Sequence, residues 1–286
     1  MFSKDNPIRV VGLSGSLRKR SYNTACLRAA GALMPDDMVL EIAHIREIPI
    51  YNADDEASDG FPTSVEVLRN QVAESDALLI ASPEYNYSLT GALKNVWDWL
   101  SRPPTPPINL MPAAILGAGG RLGTARSQHH LRDIARHNDL RLVQKPEVLI
   151  STPWDKFDND LNLTDDRTRD QLGRLVLALR GLTTRIKATR RRVLLVGRQS
   201  SDLMGVTTRL TEIGYEPVTV LDDNSALNLL DPGQFSAVVI DDQVESDSVA
   251  VLTDHTSHIA PATAIVVQPN PENLLEILEE AIRGDH

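Results

Sequence analysis

With 286 residues and 42% apolar content, the chain can bury one large core or two smaller ones, and composition does not mark it as disordered. A single cysteine, Cys26, excludes an internal disulfide and sets the expectation of a reducing, cytoplasmic setting; no apolar run nears membrane-spanning length, and Met1–Asn6 lacks an apolar signal core. The net charge of −10 is uneven: from Arg191 onward five arginines and no lysine oppose sixteen acidic residues, a net −11, which predicts two units and argues against a nucleic-acid partner for the acidic one.

In chain order, Ile8–Leu13, Met38–His44, Ala77–Ser82, Ala113–Gly117 and Glu147–Ser151 read as strands. Asn23–Met34, Thr63–Glu74, Gly91–Ser101, Thr124–Asn138 and Asp165–Lys187 read as helices. Strands separated by helices predict an α/β fold, a doubly wound parallel sheet of five strands. Right-handed crossovers then bring every strand's carboxyl end to one edge, where ligands bind. The helix from Gly91 shows the period: Leu93, Val96, Trp97 and Leu100 fall on one face, and the prolines of "RPPTPP" end it. "RIKATRRR", Arg185–Arg192, reads as a helix end and linker, which divides the chain into 1–188 and 189–286. Beyond it Val193–Val196, Pro217–Leu221, Ala237–Ile240, Val249–Leu252 and Thr263–Val267 read as five further strands, and Asn273–Arg283 as a closing helix.

The loop after the first strand, "GLSGSLRKRSYNTA", mixes glycine, hydroxyls and cations. Unpaired amides at a helix start, with the helix dipole, favour an anion there. Gly15 permits a close turn, Ser16, Ser21 and Asn23 can donate hydrogen bonds, and Arg18 offers a planar fork for phosphate, with Lys19 and Arg20 raising the local potential. The glycine spacing fits neither a Walker loop nor the dinucleotide fingerprint, and taken alone the loop is equally a solvated polar turn. After the third strand, Pro83, Glu84, Tyr85, Asn86 and Tyr87 follow on the same edge, where a ring and amides can meet a flat heterocycle.

"GSLRKRSYN" (Gly15–Asn23), "PEYNYS" (Pro83–Ser88), "GALKNVWDWLSRP" (Gly91–Pro103) and "GTARSQHHLR" (Gly123–Arg132), with the weaker "FDNDLNLTD" (Phe157–Asp165), together resemble the NADPH-dependent FMN reductase family, its chromate and quinone reductases in particular. The resemblance covers about residues 7–188. It implies a flavodoxin-like fold and non-covalently bound FMN. Ser16, Leu17, Arg18, Lys19, Ser21, Tyr22 and Asn23 would hold the phosphate, Pro83, Glu84, Tyr85 and Asn86 would border the ring, and Gly119, Gly120 and Arg121 of "GAGGRLG" would flank its other side. The implied activity is NAD(P)H-dependent reduction of quinone, flavin, azo or chromate-type acceptors through bound FMN, in a homodimer or homotetramer. No side chain is required as a catalytic acid or base, because the flavin carries the redox chemistry. The family usually has proline where this chain has Thr90, which can cap the following helix instead.

Arg121 and Arg126 are candidates for steering anionic NAD(P)H or acceptors, or are simply solvated charges. His129 and His130, adjacent on a helix, make a poor metal pair, and Asp54–Asp59 reads as a solvated acidic loop, so no metal site is expected. Cys26 reads as a small apolar residue of the first helix.

The acidic unit resembles a response-regulator receiver domain in "RRVLLVGRQSSDLMGVTTRLTEIGYEPVTV" and "FSAVVIDDQV", with Asp241 at the phosphoacceptor's place and Thr253 at the switch hydroxyl's. Gly197 and Arg198 stand where a receiver carries its acidic pair, and Gln268, before Pro269, where it carries lysine. A degenerate receiver, with an interaction role and an unidentified protein partner, is the expectation. Two alternatives remain at this point: a flavin-bound redox sensor acting through the acidic unit, and a true phosphoreceiver.

Overall fold

The structure, a computed structural model, describes the chain except residues 1, 2, 5, 104, 105, 190, 191, 198–200, 213, 214, 231–233, 242, 243, 261, 262, 268–276, 279 and 282–286, and except the side chains of 188, 189, 201–203 and 212. The chain forms two compact units, Met1–Thr184 and Arg185–His286.

In the first unit the elements run β1 (Ile8–Ser14), α1 (Tyr22–Gly31), β2 (Met38–Ile42), α2 (Ala53–Asp59), α3 (Thr63–Ala73), β3 (Ala77–Ala81), α4 (Gly91–Leu100), β4 (Pro112–Gly119), α5 (Ala125–His137), β5 (Arg141–Leu142), β6 (Val148–Ser151) and α6 (Asp166–Thr189), the last residues of α6 counting with the second unit. The strands lie in the order β2-β1-β3-β4-β5, with β6 also on β4, all parallel. Alternate strand residues point to opposite faces. Thus Val11, Leu13, Leu78 and Ile80 pack with α3, α4 and α5, through Leu68, Trp97 and Leu131 among others. Ile8, Val10, Leu79 and Ala81 pack with α1 and α6, through Leu27 and Leu175. Burial on both faces is why the strand sequences are continuous apolar runs.

In the first unit two expectations are corrected. The sheet has six strands where five were expected, because the last is split: β5 pairs Pro112–Ala113 of β4 and β6 pairs Leu116–Gly119. Pro146 lies in the gap and has no N–H to give a ladder. The acidic stretch from Asp54 is also not a loop but α2. Asn52 Oδ1 caps it by accepting from Asp54 N–H (3.1 Å), and Tyr51 Oη–H donates to Glu56 (2.8 Å).

The second unit runs β7 (Arg192–Val196), α7 (Ser201–Glu212), β8 (Glu216–Val220), α8 (Asp223–Leu229), β9 (Ala237–Ile240), α9 (Ser246–Ile259) and β10 (Ala264–Val267). Its sheet is parallel, in the order β10-β9-β7-β8. The expected strand Val249–Leu252 is wrong: it lies inside α9, and Thr253 is therefore a mid-helix residue rather than the end of a strand. Of the expected closing helix, Ile277, Leu278 and Ala281 pack on β7 and β9; the rest lies largely outside the described residues, as do Arg198, Asp242, Gln268 and Pro269. Among the described residues no helix is long and apolar enough to cross a membrane.

Candidate active site

The first loop leaves β1 at Ser14 and enters α1 at Tyr22. Ser14 Oγ and Thr24 Oγ1 share a hydrogen bond (2.8 Å), and the amides of Ser16 and Arg18 reach the hydroxyls of Ser14 and Ser16 (both 3.4 Å). Ser21 caps α1 by accepting from Thr24 N–H (3.2 Å). The amides of Tyr22 and Asn23 head the helix, where no intrahelical acceptor exists and the dipole is positive. Leu17, Arg18, Lys19 and Arg20 are exposed, and the Arg20 guanidinium donates to the Asn159 carbonyl. Asn23 turns away from this cradle. Its side-chain amide donates to Ala118 O (2.9 Å) and accepts from Ala118 N–H (3.0 Å), a two-way bond that ties α1 to β4. Tyr22 leans its ring on Phe157, 5.5 Å between centroids.

Gly15 is the point where the first two loops meet. A Cβ there would stand 2.8 Å from Pro83 Cδ and 3.1 Å from Leu93 Cβ, so only glycine permits the approach. Thr90 caps α4 by accepting from Leu93 N–H (3.2 Å), as its position before the helix suggested. Its own O–H donates to Gly15 O (2.7 Å), a second bond that no local signal announced.

The second loop is a tight hairpin. Tyr85 N–H donates to Ser88 O (3.0 Å) and Ser88 N–H to Tyr85 O (3.1 Å), while Asn86 (φ 50°) and Tyr87 (φ 67°) both sit in the left-handed region. Positive φ at both central residues defines a type I′ turn, which asparagine tolerates and tyrosine rarely adopts. The surroundings hold it there. Glu84 accepts from Arg126 N–H (3.0 Å), Ser127 N–H (3.3 Å) and the Arg126 guanidinium (3.0 Å). That guanidinium lies 3.9 Å from the centre of the Tyr87 ring, and Ser88 Oγ pairs with His130 Nδ1 at 2.9 Å. Beneath, Ser127 Oγ–H donates to Pro83 O (2.8 Å) and also meets Ser82 Oγ (2.6 Å). The turn leaves Tyr85 and Asn86 exposed at the carboxyl edge.

The third loop follows β4. Thr124, in the left-handed region (φ 70°), fills the space beside two of its glycines: an added Cβ would lie 1.9 Å from Thr124 Oγ1 at Gly117 and 2.8 Å from its methyl at Gly119. Gly123 (φ 56°) is pressed on the Leu149–Ile150 backbone. Gly117 and Gly123 therefore serve packing. Gly120, with no atom near its missing Cβ, and the exposed Arg121 stand at the loop's outer side.

The structure thus joins the three loops by named bonds, and it gives Arg126 a local engagement with Glu84 and Tyr87 in place of a solvated charge. Ser127, Thr124 and Ser88, which the sequence presented only as letters in matching motifs, are the residues that fix the second and third loops. Cys26, fully buried in α1, has its thiol pushed up to about 12 by burial.

A parallel sheet in 2-1-3-4 order, with the loops after β1, β3 and β4 tied to one another at its carboxyl edge, defines a flavodoxin-like fold. Residues 8–155 match the family described as NADPH-dependent FMN reductase, and the chain belongs to that family. It is 49% identical over 181 residues to an NAD(P)H-dependent FMN reductase of Pseudomonas aeruginosa, covering 63% of this chain and 97% of that one. It is 44% identical over 185 residues to an NAD(P)H:quinone oxidoreductase of Solanum tuberosum, covering 63% and 95%. Among solved structures, the flavoenzyme NAD(P)H:(acceptor) oxidoreductase FerB of Paracoccus denitrificans aligns at a TM-score of 0.57 and 31% identity, covering 62% of this chain and 97% of that one.

Proposed function

We propose that the chain is an FMN-dependent NAD(P)H oxidoreductase whose acceptors are quinones and free flavins, and that azo compounds and chromate-type oxyanions are reduced at the same site. The carrying observation is the convergence of three loops of complementary chemistry, tied together through Gly15, Thr90, Asn23 and Glu84. The residues fit the cofactor. The helix-start amides of Tyr22 and Asn23, the hydroxyls of Ser16 and Ser21, and Arg18 and Lys19 would hold its phosphate, with Leu17 on the same loop. Pro83, Glu84, Tyr85 and Asn86 would border the ring on one side, and Gly119, Gly120 and Arg121 on the other. When bound, FMN supplies two-electron hydride chemistry that no side chain here possesses. The chain's own work is to hold the two ends of the nucleotide on one rigid frame, with Asn23 as a strut between α1 and β4. A homodimer or homotetramer is proposed on the same kinship. The test is a visible spectrum of the purified protein, then anaerobic titration with NADH and NADPH and turnover with a quinone. Flavin absorbance bleached by the nicotinamide and restored by quinone is expected; a colourless protein that rejects added FMN would refute the reading.

For the second unit we infer a receiver-like module that does not relay phosphate. The order β10-β9-β7-β8 is that of a receiver's first four strands, and Asp241 follows β9. Gly197 follows β7 where an acid would be needed, and it lies so close that an added Cβ would stand 2.5 Å from Asp241 Cβ. No lysine occurs after Lys187. An acyl-phosphate donor with magnesium is expected to leave Asp241 unlabelled; a labelled Asp241 would end this reading.

A further inference from the structure

The loop after β2, residues 43–51, also opens at the carboxyl edge of the sheet, and its course is fixed from several sides. Ala43 N–H extends the β1 pairing by donating to Gly12 O (3.0 Å), and Ile45 and Ile48 are buried in the core that α3 and α4 share. Ser64 Oγ–H of α3 donates to Glu47 O (3.1 Å), and the Asn95 amide and Trp99 indole of α4 both donate to Pro49 O (2.7 and 2.8 Å). Between these anchors stands the exposed Arg46, whose guanidinium crosses to the first loop and donates to the Leu17 carbonyl. Among the described residues no carboxylate pairs with it.

The effect of that bond passes through one flat peptide. The Leu17–Arg18 peptide is trans, so its C=O and its N–H point in opposite directions. With Leu17 O held by Arg46, the Arg18 N–H turns the other way, toward Ser16 Oγ at 3.4 Å. A hydroxyl at that distance is a weak acceptor that an anion can replace. At the far end of the same stretch the Arg20 guanidinium donates to Asn159 O, and Ser21 Oγ accepts from Thr24 N–H. Leu17–Arg20 is thereby held at both ends before any ligand arrives, which spares the entropy of ordering it. We infer that Arg46 is a positioning residue of the proposed phosphate site: by holding Leu17 O it turns the Arg18 N–H toward the phosphate of the cofactor. The inference deepens the reading of the chain as an FMN-dependent enzyme and rests on it.

The test uses the full-length protein, stripped of flavin and titrated with FMN and with riboflavin, which lacks the phosphate, by quenching of flavin fluorescence. Arg46→Ala is expected to weaken FMN about tenfold and to leave riboflavin unchanged, the loss of one charge-assisted hydrogen bond that supports the phosphate alone. The loss should persist in 1 M salt, where exposed charges are screened beyond about 3 Å. Arg46→Lys, which keeps a cationic donor, should bind FMN more tightly than Arg46→Ala. An equal loss for FMN and riboflavin would overturn the inference, because it marks a general loosening of the fold. A loss that vanishes in salt would overturn it too, because Arg46 would then act only as a distant charge, and so would a lysine variant no better than alanine. A natural protein that binds FMN no better than Arg46→Ala does sinks this inference alone. A natural protein that binds no FMN sinks the proposed function with it.

Discussion

Glu84 shows how much one side chain can fix and how little of that is visible locally. Its motif placed it beside the ring, but its partners are Arg126 and the first amides of α5, some 42 positions away in sequence. α5 is preceded by Thr124, whose left-handed backbone gives no side-chain cap, so the carboxylate of another loop supplies it. Glu84→Gln keeps one acceptor oxygen and loses the charge. We expect it to cost on the order of 1–2 kcal/mol, discounted because the Arg126 side chain is partly exposed, and to release Tyr87 from its strained φ. Thermal melting of the FMN-loaded variant reads the first effect, and flavin circular dichroism reads the second; an unchanged midpoint would show that the α5 amides find other acceptors. The same distance hid the role of Asn23, whose amide looked available for phosphate yet pairs with Ala118, 95 residues on. What could be read at Thr90 was the local cap; its bond to Gly15 O requires the fold.

Elements were legible where local pattern and tertiary packing agree. The α4 face of Leu93, Val96, Trp97 and Leu100 is fully buried, as its spacing demands. The failure at Val249–Leu252 has the opposite cause. β-branched residues suggested a strand, but Leu252 and Thr256 are buried four apart on α9, and packing overrides the weak intrinsic preference. The split of the last strand likewise depends on where Pro146 meets β4. One inter-element bond gives a pH prediction. Arg180 of α6 grips Asp37, the residue before β2, with Nε 2.9 Å from each carboxylate oxygen. Hydrogen bonding from Arg180 holds the Asp37 carboxyl below its ordinary value of 3.8. A depressed acid stabilises the fold above its unfolded pKa and loses that contribution as pH falls through the folded one. The midpoint of the natural protein should therefore drop more steeply below about pH 4 than that of Asp37→Asn, which should be the less stable of the two near neutrality. Parallel acid limbs for the two proteins would count against this grip.

At the scale of the whole molecule the asymmetry of charge follows the chain's division: a near-neutral stretch carries the three loops, and the strongly acidic stretch carries the second sheet. Family kinship, over residues 8–155, lies within the first unit. The apolar clusters obey the same division. Two are drawn from residues of the first unit and two from residues of the second. The two interiors are therefore separate sets of residues, Leu78 belonging to one and Val238 to the other. Interior positions for redesign thus fall into two separate lists, and the more strongly charged stretch of sequence goes with the second.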